Sequence, residues 1–221
     1  MAEITTDGER TMAASRDWLT VGLGLAAAVL LGIGPAVLFL TGVELSDTNA
    51  PRLVESFYAD RSQWQPTLIA EPASLLGLLV FLGFIGRLRA ALGEAAASVP
   101  LSAGAILFAA LGFASIVAQT TVAGTAMFAP GFEPDPHTAM ALSHLGYVLL
   151  AGAMMGAVTM VFAIASAVRR SLWLPTWLRP LSLVVGVVGL GSIFFAYGPL
   201  LIFLVWLAAV AVILARRAAH G

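Results

Sequence analysis

The chain of 221 residues has a composition that excludes a soluble globular protein. Sixty per cent of its residues are hydrophobic, only 10 % are Asp, Glu, Lys or Arg, and the mean hydropathy is +0.96, whereas soluble domains carry about 25 % charged residues. The formal net charge of −1 gives no basic surface, so we expect no nucleic-acid partner.

Two residue types are missing, and their absence excludes several kinds of site. There is no cysteine, so disulfides, iron–sulfur clusters and thiolate zinc sites are excluded. All 11 basic residues are arginine, so no lysine can form a Schiff base with retinal or pyridoxal phosphate. Because no phosphate loop, histidine-rich motif or Ser/His/Asp set occurs either, we expect no cofactor and no metal.

The apolar runs predict an all-α bundle of six transmembrane helices. About 20 apolar helical residues cross a bilayer core of roughly 30 Å. The polar segment 1–17 is expected to be cytoplasmic, and the run after it to be an uncleaved anchor, because that run is longer than the apolar core of a secretory signal. The first four spans are predicted at 18–40, 66–86, 101–128 and 138–168.

The last apolar stretch, 181–215, is too long for a single crossing. Its 35 residues would form a helix of about 52 Å. Tyr197-Gly198-Pro199 near its middle combines residues that favour a turn. We therefore predict spans at 181–196 and 200–215 and a cytoplasmic tail at 216–221, with one kinked crossing as the alternative.

The arginines favour six crossings over five. With the N-terminus inside, the inner segments hold nine arginines and the outer segments hold two, Arg52 and Arg61. Cytoplasmic loops carry such an excess of arginine, and five crossings would instead move Arg216 and Arg217 outside. The sequence thus predicts a multi-pass plasma (inner) membrane protein with both termini cytoplasmic.

The long outer loop, 41–65, contains a candidate interfacial helix. Apolar residues recur there at helical spacing opposite charged ones, and they are Leu53, Val54, Phe57 and Tyr58. This pattern predicts a short helix over 49–64 that lies on the outer face of the membrane. A brace that covers helix ends is favoured over a lid above a cavity.

Polar residues inside the spans form the candidate ligand-binding site. Ionisable or strongly polar groups are costly to bury in a membrane and are site candidates for that reason. At about 1.5 Å per residue, Glu71, Gln119 and His144 lie about 8, 13 and 9 Å below the outer ends of their helices. Ser74 and Tyr147 share helix faces with Glu71 and His144. The alternative is that all these groups are structural contacts between helices.

Two further motifs have a structural interpretation. Gly152 and Gly156 form a G-x-x-x-G pattern that lets another helix approach closely. Besides the lipid bilayer, a second copy of the chain or another membrane protein is therefore an expected partner at this face. In the loop 133–137, Asp135 and Pro136 are better explained as the cap and first turn of the fourth span than as part of a metal site.

These residues support three functions in decreasing order. The first is binding or transport of a small molecule in an outward-facing polar pocket. The second is a structural or assembly subunit that binds other membrane proteins. The third is an intramembrane enzyme that uses Glu71 and His144 as acid and base, and it is least favoured because no nucleophile or metal set accompanies them.

The whole-chain pattern resembles a broad group of uncharacterised six-helix bacterial integral membrane proteins. The shared features are an acid early in the second span (Glu71), a long first outer loop and a Trp/Pro-rich start of the fifth span at 174–178. The resemblance implies the fold and a bacterial membrane. It implies no established activity and no functional residues.

Overall fold

The computed structural model describes residues 4–41, 50–93, 98–129, 131–169, 174–195 and 197–220, and these residues form seven α-helices. No strand occurs in these ranges, so the predicted all-α fold class is confirmed. A 3₁₀ turn, Gly191–Ile193, follows the sixth helix. In chain order the helices are α1 (Ile4–Thr41), α2 (Ala50–Ala59), α3 (Arg61–Leu92), α4 (Ser98–Phe128), α5 (Pro136–Ala167), α6 (Leu178–Leu190) and α7 (Tyr197–His220).

Five of the described helices are long and apolar enough to cross a membrane. Helix α6 and its 3₁₀ turn are shorter, with 13 and 3 residues, and together they span about 26 Å. Each predicted span falls on one of these six helices, which have the lengths and composition of a membrane-spanning protein. The five long segments are Trp18–Val37, Arg61–Leu92, Val99–Phe128, Pro136–Ala167 and Tyr197–Leu214.

The helices extend beyond several predicted boundaries. The segment 1–17 is helical from Ile4 onwards, and α3 begins at Arg61 instead of residue 66. Asp60 accounts for this start, because its carboxylate accepts a hydrogen bond from the Ser62 N–H at 2.9 Å and caps the helix. The predicted outer helix over 49–64 is therefore wrong in extent: α2 ends at Ala59, and residue 49 lies outside the described residues.

Neighbouring apolar helices run antiparallel. Gly24 of α1 packs against Ala211 of α7, whereas Gly32, farther along α1, packs against the earlier Leu204. The same reversal relates α1 to α3, α3 to α4, α4 to α5 and α5 to α6. The six apolar helices therefore alternate in direction, and Ile4 and His220 lie at the same end of the bundle.

Helices α6 and α7 form a hairpin. The Trp206 indole N–H donates to the Ser182 hydroxyl at 3.0 Å, although the two residues are 24 positions apart. In one continuous helix that separation would place them about 36 Å apart. The kinked single helix considered for this stretch is therefore wrong, and the two helices lie side by side in opposite directions.

The break in this hairpin lies earlier than predicted. Helix α6 ends at Leu190 instead of residue 196, and α7 begins at Tyr197 instead of residue 200. Gly198 and Pro199 belong to the first turn of α7. Proline is tolerated there because the backbone N–H that it lacks would have no partner within the helix.

The arginines separate the two ends of the bundle. We call the end that carries α2 the α2 end, and the opposite end, where both termini lie, the terminal end. Arg52 and Arg61 lie at the α2 end. The described arginines that follow the first span at the terminal end are Arg87, Arg89, Arg169, Arg179 and Arg216.

Helix α2 is a brace on the ends of α3, α4 and α5. Val54 is buried in a small cluster with Val122 and Ala139. The Trp64 indole N–H donates to the Tyr58 carbonyl at 3.2 Å, which ties the end of α2 to α3. These contacts agree with the brace that the sequence favours over a lid.

The two glycines of the G-x-x-x-G motif pack within the chain. At Gly156 an added Cβ would lie 2.5 Å from the Gly104 carbonyl oxygen and 2.6 Å from the Phe108 nitrogen. At Gly152 it would meet only the Leu111 side chain, at 3.0 Å. Close packing is thus confirmed, with α4 as the neighbour at both positions. A second chain at this face stays a prediction.

The start of α5 is capped as predicted. The Asp135 carboxylate accepts hydrogen bonds from the Thr138 hydroxyl at 2.6 Å and the Thr138 N–H at 2.8 Å, and Pro136 occupies the first turn. These hydrogen bonds hold the pKa of Asp135 below its ordinary value. Asp135 is therefore a helix cap, which is the structural interpretation of this loop.

Candidate binding cavity

A cavity of about 70 Å³ lies among α1, α3, α4, α5 and α7. A water molecule needs about 10–15 Å³ of such volume, so the cavity has room for a few waters or one very small solute. Drug-sized ligands need several hundred Å³ and are too large for it. Seven polar residues line the cavity, namely Thr67, Glu71, Ser74, Ser115, Gln119, Thr120 and Tyr197.

The polar part of the cavity lies toward the α2 end. Along α3 the lining changes from Thr67 near the α2 end to Leu78 at greater depth. Helix α4 runs in the opposite direction, and its lining changes from Phe108 at depth to Thr120 near the α2 end. The cavity thus has polar upper walls and an apolar floor.

Three buried phenylalanines close the cavity toward the terminal end. The ring of Phe108 lies 5.1 Å from that of Phe81 and 5.2 Å from that of Phe203, measured between centroids. All three side chains are at most 2 % exposed. A solute in this conformation therefore reaches the cavity from the α2 side and is blocked below.

The wall formed by α4, α5 and α7 is held by a chain of hydrogen bonds. The Tyr197 hydroxyl donates to the Gln119 side-chain oxygen at 2.8 Å, and the Gln119 amide N–H donates to the Ser115 hydroxyl oxygen at 2.9 Å. Ser115 in turn donates to the Gly146 carbonyl at 2.6 Å. Because each group has a partner, this wall is fixed in place.

Glycine at position 146 makes room for this chain. A Cβ built on Gly146 would collide with the Cγ atom of Gln119. Only the bare backbone of α5 lets the Gln119 side chain lie between α4 and α5 and reach both Ser115 and Tyr197.

The opposite wall, formed by α1 and α3, has polar groups without partners. The Ser74 hydroxyl is buried, with the residue 4 % exposed, and makes no hydrogen bond. Glu71 is half-buried, and within the described ranges its carboxylate has neither a hydrogen bond nor an ion pair. A serine in a helix usually donates to a carbonyl three or four residues earlier, and an unsatisfied buried group costs about 1–3 kcal/mol. These two groups are therefore available to an occupant of the cavity.

Helix α1 adds a backbone acceptor to the same wall. Pro35 lies inside α1 and lines the cavity together with Gly34 and Leu31. Because proline has no N–H, the Leu31 carbonyl lacks the hydrogen bond that a helix normally supplies from the residue four positions later. A carboxylate, a hydroxyl and this carbonyl thus belong to one wall.

Three of the five predicted site residues line the cavity, namely Glu71, Ser74 and Gln119. The other two do not. His144 is exposed, and its Nδ1 lies 3.0 Å from the Met140 carbonyl of its own helix. Tyr147 donates to the Phe194 carbonyl at 2.9 Å and supports the α6–α7 connection. The predicted pocket therefore exists with a different set of residues on α5.

The rotation of α5 explains why these two residues lie elsewhere. Each helical residue turns by about 100°, and the residues of α5 that face the cavity region are Gly146 and Leu150. His144 is two positions before Gly146 and points roughly the opposite way. Depth along a helix can be estimated from sequence, whereas the face that meets a neighbour depends on packing.

Tyr197 is the main site residue that sequence reasoning missed. It was interpreted only as part of a turn, yet it lines the cavity, bonds Gln119 and packs edge-on against Tyr147 with centroids 6.1 Å apart. A tyrosine at the α2 end of an apolar helix, level with Gln119, is the signal that could have identified it.

The cavity has one charged lining residue, Glu71. Nowhere in the described part of the chain do three or more His, Cys, Asp or Glu side chains come together as a metal site would require. The chain matches no protein-family model, no curated protein and no solved structure. The resemblance to six-helix bacterial membrane proteins therefore stays a prediction, and the function must be argued from the cavity.

Proposed function

We propose that this chain is a six-span protein of a bacterial plasma membrane that binds a small polar solute from the outer side, as a transporter or a receptor does. The observation that carries the proposal is the pair of unpartnered groups, the Glu71 carboxylate and the Ser74 hydroxyl, in the wall of one cavity. Intramembrane carboxylates are costly to bury and mark solute and ion pathways.

The distribution of arginine supports this orientation. Excess arginine at the terminal end is typical of cytoplasmic loops, and it places the α2 end and the mouth of the cavity outside. The apolar length of α6 with its 3₁₀ turn, about 26 Å, is a few ångströms less than the bilayer core. Local thinning of the bilayer accommodates such a difference.

The two walls of the cavity separate a binding role from a structural one. Structural polar groups in membrane proteins satisfy one another across helices, as Tyr197, Gln119 and Ser115 do here. Glu71 and Ser74 lie on the other side of the same space and have no such partners. A solute with hydrogen-bonding capacity would satisfy them.

The absence of native cysteine makes thiol labelling a direct test. Thr67→Cys near the mouth and Ser74→Cys at greater depth should react with a small, charged methanethiosulfonate reagent added from outside. Val148→Cys is a matched control, since Val148 is 65 % exposed on the outer surface of the bundle and would face lipid. Asp60→Cys, in the α2–α3 connection, shows that the reagent reaches the outer face.

Labelling at Asp60→Cys and Thr67→Cys but not at Val148→Cys supports a water-filled cavity that opens outward. Gly112→Leu places a bulky side chain in the cavity wall and should slow labelling of Ser74→Cys. If neither Thr67→Cys nor Ser74→Cys reacts while Asp60→Cys does, the cavity is closed to the outside and the proposal is wrong.

A further inference from the structure

We infer that the occupant of this cavity is a small monovalent cation, held by Glu71 and Ser74 on the α1–α3 wall. The inference rests on the proposed function, since it assigns the chemical class of the solute that the cavity binds. Four observations carry it: the charge of the lining, the type of free atom, the size of the space and the fit of Ser74 against α1.

The charge of the lining selects a single positive charge. Glu71 is the only charged residue that lines the cavity, and no described arginine lines it or pairs with Glu71. A monovalent cation would balance this carboxylate, whereas an anion would be repelled by it. A divalent ion would leave one positive charge without compensation at membrane depth, which is costly.

The free polar atoms are oxygens of the kind that hard cations prefer. Carboxylate, hydroxyl and carbonyl oxygens suit such cations, and Glu71, Ser74 and the Leu31 carbonyl freed by Pro35 supply all three types. Nearer the mouth, the hydroxyls of Thr67 and Thr120 donate to carbonyls of their own helices at 2.6 and 2.8 Å. Their oxygens therefore keep lone pairs that can accept.

The opposite wall is already occupied by its own hydrogen bonds. The Gln119 amide N–H points to Ser115, and the Tyr197 hydroxyl proton is given to Gln119. The donors that would stabilise an anion are therefore engaged, whereas the acceptors on α1 and α3 are free. This asymmetry again favours a cation.

The volume limits the occupant to a very small species. About 70 Å³ accommodates an alkali ion with part of its hydration shell, or an ammonium ion, since one water needs about 10–15 Å³. The shared chemistry is a compact single positive charge. Larger organic cations such as choline do not fit.

Gly34 fixes the position of the Ser74 hydroxyl at this site. A Cβ on Gly34 would lie 2.5 Å from the Ser74 oxygen, so only glycine leaves the hydroxyl in its place between α1 and α3. Gly34→Ala should therefore weaken cation binding without changing any charge.

The test is the melting temperature of the purified full-length protein in detergent at constant ionic strength. Sodium, potassium and ammonium chloride are compared with choline chloride. For the cation that binds, each tenfold increase in concentration above the dissociation constant should raise the melting temperature by about 3–6 °C. A response to alkali ions alone, or to ammonium alone, supports the inference and identifies the source of the charge.

Three variants attribute the response to the cavity. Glu71→Gln should abolish the cation-dependent shift, and Ser74→Ala should reduce it. Glu55→Gln removes the same charge from the exposed face of α2 and should keep the full shift. If Glu71→Gln is too unstable to purify, slower labelling of Thr67→Cys in the presence of the cation gives the same information with Glu71 intact.

Equal melting temperatures in all four salts, or a shift that persists in Glu71→Gln, would overturn the inference. The labelling of Thr67→Cys separates this failure from failure of the proposed function. If that cysteine reacts but no cation has an effect, the cavity binds a solute of another class. If it does not react, the outward-facing cavity itself is wrong.

Discussion

The Ser74 hydroxyl lies against the bare backbone of Gly34, where an added Cβ would come within 2.5 Å of it. Helices α1 and α3 therefore approach closely at this point, and they do so around a polar atom that has no hydrogen bond. Close approach of two helices is ordinary in membrane proteins, but a glycine that makes room for an unsatisfied hydroxyl is costly without an occupant.

Ser74→Ala should have opposite effects on stability with and without the cation. In choline chloride it removes an unsatisfied buried group and should raise the free energy of unfolding by about 1 kcal/mol. In the salt of the bound cation it removes a ligand and should reduce or reverse that gain. The measurement is thermal unfolding followed by tryptophan fluorescence, and a uniform loss of stability in every salt would contradict the expectation.

The Tyr197–Gln119 hydrogen bond should stabilise the closed wall of the cavity. Tyr197→Phe removes one hydrogen bond and should cost about 0.5–1.5 kcal/mol. Combining it with Gln119→Leu should cost less than the sum of the two single changes, because both remove the same contact. Fully additive effects would mean that the two side chains do not interact.

The two glycines of α5 should differ in their tolerance of a side chain. At Gly156 a Cβ would meet backbone atoms of α4, which cannot move aside, whereas at Gly152 it would meet the end of the Leu111 side chain. We expect Gly156→Ala to lower the unfolding free energy by about 1–3 kcal/mol and Gly152→Ala by less. Gly83→Ala, where nothing lies within 4 Å, is the control for the general effect of alanine in a helix.

The positions of the helices could be predicted from sequence because polar residues interrupt the apolar runs. Asp135 with Pro136 marks the start of α5 in both the sequence and the structure. Pro199 was less informative, because proline in a first turn does not break a helix, and α7 therefore begins two residues before it.

The side-chain composition of the cavity was less predictable than the helices. Glu71 and Gln119 line one space, as their depths suggested, but His144 at a similar depth faces away. The sequence of α5 carries apolar and small residues around its whole circumference, so it does not specify the inward face. The contacts at Gly146 and Gly156, which accept side chains or backbone of α4, determine that rotation.

The Asp135 cap should make the stability of α5 depend on acid pH. Its hydrogen bonds to Thr138 lower the pKa of Asp135 in the folded chain. The cap therefore stabilises the fold fully above the pKa of the unfolded carboxyl, about 3.9, and the contribution is lost as the pH falls through the lower pKa of the folded state. The difference in melting temperature between the wild type and Asp135→Ala should shrink over this range. Asp135→Asn keeps a neutral cap and should show little dependence, whereas a constant difference for Asp135→Ala would contradict the role of the charge.

The alternating helix directions predict the topology of the chain in a cell. Since α1 and α7 are antiparallel and α6 folds back on α7 through the Trp206–Ser182 contact, a reporter fused after His220 should lie in the cytoplasm, as should one fused after Ser171. Reporters fused after Asp60 or Glu133 should lie outside, at the α2 end. Alkaline phosphatase and green fluorescent protein are suitable reporters because they are active on opposite sides of a bacterial plasma membrane. Phosphatase activity after His220 would mean that α6 does not cross, and the predicted six-span topology would then be wrong even though the hairpin itself is present.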